Sequence, residues 1–93
     1  MSLSKPNDFA ADVLDILRRR NVTFHGCKPD YIEQRSNGEC KLWFYGHRKG
    51  VAWAGGITLN SRSDIDTAVA LGHSESFAEI CEKIIDETNT KFN

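Results

Sequence analysis

No run of this 93-residue chain comes near the roughly 20 consecutive apolar residues needed to cross a bilayer. The first residues, MSLSKPNDFAAD, lack the apolar centre of a secretory signal. No membrane partner is expected, and the expected location is the cytoplasm. Cysteine is sparse and odd in number. Cys27, Cys40 and Cys81 stand far apart without a C-x-x-C pair, which excludes the even disulfide framework of small secreted domains. They are read as reduced thiols that pack as small apolar side chains. Repeats, low-complexity tracts and linkers are also missing, so residues 1–93 are expected to form a single domain. A phosphate-binding glycine loop, a dinucleotide fingerprint and a paired-carboxylate motif are all absent, and no cofactor is expected.

What is present suffices for a fold. The chain is 40% hydrophobic and 27% charged, outside the composition range in which chains stay disordered. A chain this short buries a modest share of its surface, so self-association into a homodimer is one expected outcome. The net charge of −1 hides a segregation: residues 18–49 hold eight Lys/Arg against three Asp/Glu, and residues 64–93 hold two against seven.

Phe9, Val13, Ile16 and Leu17 recur at i, i+4, i+7 and i+8 and predict a helix over about 8–20. Asn7 is its candidate N-cap, and Arg18, Arg19 and Arg20 sit where cations offset the helix dipole. From 22 to 59 the chain turns to β-branched and aromatic residues punctuated by glycines, which is strand chemistry. Val22–His25 reads as a short strand. Tyr31–Ser36 and Glu39–Tyr45 flank Asn37-Gly38, a pair suited to a two-residue type I′ turn. Cys40–Tyr45 then pairs with Val51–Leu59 through His47-Arg48-Lys49-Gly50. Ile65, Thr67, Val69 and Leu71 alternate, so 65–71 is read as a fourth strand in preference to a short helix. Ser76 and Glu79 have the spacing of a capping box, ahead of Phe77, Ile80, Cys81, Ile84 and Ile85, which share a face of a helix over about 77–88. The expected fold is α+β: a two-layer α/β sandwich with an N-terminal helix, a three- or four-stranded antiparallel meander sheet and a C-terminal helix.

Strand alternation carries the functional reading. Cys40, Leu42 and Phe44 fall on one side of their strand, and Lys41, Trp43 and Tyr45 on the other. If both helices cover the first set, the second is left open. In the partner strand Val51, Trp53, Ile57 and Leu59 are expected to point inward, with Ala52, Ala54 and Thr58 beside the aromatics. Exposed Trp and Tyr offer large contact area at low entropic cost. The expected function is therefore a non-enzymatic binding module that grips a protein partner or its own copy. Its candidate binding residues are Lys41, Trp43, Tyr45, His47, Arg48 and Lys49.

Single-stranded nucleic acid is the alternative partner, since rings stack on bases while Lys and Arg reach phosphates. Lys49-Gly50-Val51-Ala52-Trp53 resembles the start of the RNP1 stretch of an RNA-recognition motif. Val51 replaces its first stacking aromatic, however, and the helix-first order differs from that fold, so no site is transferred. A third reading is a small enzyme using His25 and Cys27, or His73 and Ser74. Gly72-His73-Ser74-Glu75-Ser76 resembles the G-x-S-x-G nucleophile elbow with serine in the last place, but these serines have a sufficient role as helix caps. The histidines and cysteines follow no recognised zinc spacing, and no metal site is expected.

Overall fold

The apolar stripe of the N-terminal segment produces α1 (Pro6–Arg19) in a computed structural model that describes residues 6–34 and 39–92. Val13 and Leu17 on that stripe are fully buried. The helix opens on Pro6, whose fixed φ suits a first turn, so Asn7 lies inside it and not at the cap. Asn21, at φ 56°, ends the helix. Its N–H donates to the Arg18 carbonyl and that of Val22 to the Leu17 carbonyl, each at 3.0 Å, closing a Schellman turn that returns Val22 to the core.

The sheet is an antiparallel meander of β1 (Lys28–Gln34), β2 (Cys40–Arg48) and β3 (Val51–Leu59), in the order β1-β2-β3. The expected strand over Val22–His25 is instead one bridge between Phe24 and Cys27, closed around His25-Gly26. The expected Asn37-Gly38 turn lies outside the described residues. Gln34, the last described residue of β1, pairs with Cys40. The second hairpin is tighter than its four-residue connection implied. Lys49 and Gly50 have φ of 55° and 79°, the positive values of a type I′ turn, and Arg48 pairs directly with Val51. That turn matches the twist of the strands, so pairing continues through His47 and Arg48.

Residues 65–71 are not a strand. They lie in α2 (Ser63–Leu71), where Ile65 and Ala68, three apart on one side, are the buried residues. Alternation was the wrong period because Leu71, its last apolar member, is 61% exposed. The Asp64 carboxylate accepts the Ile65 N–H at 2.9 Å at the start of the helix. Gly72, at φ 68°, closes the end: its N–H reaches the Val69 carbonyl at 3.2 Å, and that of His73 reaches Ala68 at 2.9 Å. This stop leads straight into α3 (Ser74–Phe92), which therefore starts earlier than Ser76. Ser76 sits within the first turn, and the Ser76/Glu79 spacing does not mark the cap.

The helices lie on one side of the sheet. Leu42, Phe44 and Leu59 from the sheet are buried in one core with Leu17 from α1 and Phe77, Cys81 and Ile85 from α3. Phe9 meets Phe77 edge-on at 5.4 Å. Ile57 and Leu59 point inward as expected, whereas Trp53 is half-buried and Val51, at the turn end, is 67% exposed. No helix among the described residues is long and apolar enough to cross a membrane.

Cys27, Cys40 and Cys81 are free and buried. Burial, with nearby Cys40 adding to it, pushes the Cys81 thiol up to about 12 from 9.0. Burial and then Asp66 raise that of Cys40.

Two outcomes follow from this packing. Leu42→Ala should cost about 2–5 kcal/mol in urea unfolding, because its site is enclosed and cannot collapse fully. Cys81 keeps its proton in the folded chain above the pH at which the unfolded thiol loses it. Its contribution is therefore whole below pH 9.0 and is lost as the pH rises to about 12. Unfolding between pH 8 and 10.5 should show a steeper stability loss in wild type than in Cys81→Ala, by up to about 1.4 kcal/mol per pH unit. Parallel slopes would contradict it.

Candidate functional site

The pleat of β2 turns Lys41, Trp43, Tyr45 and His47 away from the helices. β3 sets small side chains beside them: Trp43 pairs with Gly56, Tyr45 with Ala54, and His47 with Ala52. On the other flank Tyr31 pairs with Trp43 and Glu33 with Lys41. No residue of this side of β2 or β3 is buried, and Tyr31 and Tyr45 are each 49% exposed.

The Trp43 indole is held from several directions. Its N–H donates to a Glu33 carboxylate oxygen at 2.9 Å. The Lys41 ammonium sits 4.2 Å from its ring centroid, a cation–π contact. The Tyr31 ring lies nearly parallel to it, 17° apart in plane and 6.1 Å between centroids. Tyr45 meets His47 edge-on at 6.1 Å. Gly56 makes room for this cluster. A Cβ there would come within 2.9 Å of the Lys41 Cε and 3.0 Å of the Leu42 carbonyl, so the lysine stem crosses where only hydrogen fits.

Tyr31 reaches this side because β1 carries a bulge between Pro29 and Tyr31. Arg18 of α1 clamps it, donating from Nε to the Pro29 carbonyl at 3.2 Å and from an Nη to the Asp30 carbonyl at 3.1 Å. The other two arginines of the run also have partners within the chain: Arg19 binds Asp15, and Arg20 binds Glu82 of α3, each at 2.9 Å.

Of the six anticipated binding residues, four share the open face and Lys49 lies in the turn at its rim. Arg48 goes to the helix side, where its guanidinium stands 5.5 Å from the Trp53 ring. Pairing through Arg48 sets its parity with Phe44 and not with Tyr45. Tyr31 and Glu33 were missed, because only the true β1 register places them beside Trp43 and Lys41. Strand alternation from Tyr31 would have found both once the loop length was known.

The catalytic alternatives find little supporting geometry. The buried Cys27 thiol points to the His25 backbone carbonyl at 3.9 Å, while the imidazole packs on Phe24 at 4.3 Å and Trp53 at 5.6 Å. His73 and Ser74 line a shallow depression of about 370 Å³ with Asp12, Asp15 and Arg19. No hydrogen bond joins His73 to Ser74 there, and Asp15 is engaged by Arg19. Among the described residues no three His, Cys, Asp or Glu side chains gather as a metal site.

Cys27, 1% exposed, should resist Ellman's reagent at pH 8 in the native chain over a period that labels it fully in urea. Rapid native labelling of Cys27, followed by peptide mapping, would point to an accessible, activated thiolate. Compared with known protein families, characterised proteins and solved structures, the chain shows no significant match.

Proposed function

We propose that the chain is a non-enzymatic binding module of the cytoplasm that grips a protein partner through the open sheet face around Tyr31, Lys41, Trp43 and Tyr45. The observation that carries this reading is the uncovered aromatic cluster, held in place before any partner arrives. Trp43 is fixed by Glu33, Lys41 and Tyr31, so little side-chain freedom remains to be lost on contact. Beside it Ala52, Ala54 and Gly56 leave a low floor on which an apolar partner side chain can rest.

A protein partner is favoured over single-stranded nucleic acid by what already occupies the indole. Lys41 and Tyr31 lie against the ring that a base would stack on, and the Glu33 carboxylate beside it opposes phosphate. Nucleic acid would reveal itself by binding that falls steeply with added salt.

Pull-down from the native host with the wild-type chain and with Trp43→Ala/Tyr45→Ala tests the reading. A partner should be recovered by the wild type and lost, by about tenfold or more, from a double variant whose unfolding transition is intact. Equal recovery by both chains would reject the face as the binding site.

A further inference from the structure

The two free edges of the sheet are built differently. On the β1 edge Pro29 has no N–H, Asp30 is the bulged residue, and Arg18 occupies the carbonyls of both. Proline, a bulge and charged side chains keep a strand from pairing with another chain. β3 has none of them. Val51–Leu59 contains neither proline nor a charged residue, and its register against β2 is unbroken.

The tight turn makes Arg48 and Val51 a hydrogen-bonded pair. Antiparallel alternation then points the N–H and C=O groups of Ala52, Ala54, Gly56 and Thr58 outward. None of these four residues is buried, and among the described residues no hydrogen bond outside the ladder reaches them.

We propose that β3 is a self-pairing edge, through which two copies of this chain join antiparallel into one continuous six-stranded sheet. The occupant is a second copy because the outward row is self-complementary. About a two-fold axis beside Gly55, Ala52 faces Thr58 of the second copy and Ala54 faces Gly56 of the second copy. Both are pairs of outward residues, so every donor and acceptor in the row finds a partner. Their side chains are small, and on the helix side Trp53 comes opposite Ile57 of the second copy.

The union rests on the edge and not on the aromatic face. It would bring the two open faces into one surface, with the small residues of both β3 strands between two Trp43/Tyr45 rows.

Sedimentation equilibrium of the full chain tests this, alongside Ala54→Pro and Trp43→Ala/Tyr45→Ala. Proline at 54 removes an outward N–H and spares the β2 ladder. The wild type should dimerise, Ala54→Pro at least about tenfold more weakly, and the aromatic variant within about twofold of wild type. Should Ala54→Pro fail to fold, Ala52→Cys/Thr58→Cys decides. Within one strand these positions stand about 20 Å apart, beyond disulfide reach, so mild oxidation should yield a covalent dimer. A wild type monomeric at every concentration, a dimer as tight in Ala54→Pro, one lost only in the aromatic variant, or no cross-link from the cysteine pair would each overturn the proposal.

Discussion

β2 alone has strands on both flanks, and its pleat decides which side of the molecule is core. Burying Leu42 and Phe44 under the helices obliges Trp43 and Tyr45 to face the other way, since neighbouring side chains of a strand cannot share a face. The helices cover the centre of the first side, with Phe77, Cys81 and Ile85 of α3 and Leu17 of α1 in one buried cluster. Nothing among the described residues is packed over the second side. The open face is thus a consequence of packing the core, and the aromatic residues placed on it set its character.

The same asymmetry extends to the edges and to the glycines. Arg18 ties α1 to the β1 bulge, which brings Tyr31 next to Trp43 while closing that edge. β3 is lined by small residues where β2 is lined by rings. Gly56 in particular admits the Lys41 stem, which lets the ammonium rest over Trp43. A side chain at that position would push the lysine away and loosen the cluster at its centre. Gly55 serves the opposite side: the Trp53 ring lies where its Cβ would be, covering a strand position that has no side chain of its own.

Much of this was legible from residue order because the helices and the central strand each keep a clean period. Phe9 to Leu17, Phe77 to Ile85 and Cys40 to Tyr45 obey periods of 3.6 or 2 for long enough to fix both element and face. The failures came where two periods overlap or where register depends on a loop. Ile65 to Leu71 alternates, yet the buried pair is Ile65 and Ala68, and the αL stop at Gly72 is what a helix reading required. Tyr31 could not be placed from the sequence. Gln34 pairs with Cys40, a register that strand alternation alone does not fix, and the bulge beyond Pro29 shifts the strand again. Arg48 falls on the helix side because the type I′ turn is shorter than the basic tetrapeptide that contains it.

The central claim is that one side of the sheet is core and the other is free in the isolated chain. Hydroxyl-radical footprinting with residue-level mass spectrometry measures this directly, because aromatic rings oxidise according to their access to solvent. Tyr31, Trp43 and Tyr45 should oxidise readily while Phe44 and Phe77, each 1% exposed, stay protected until the chain unfolds. Protection of Tyr31 and Tyr45 equal to that of Phe44 would mean that something covers the open face, and would contradict the account.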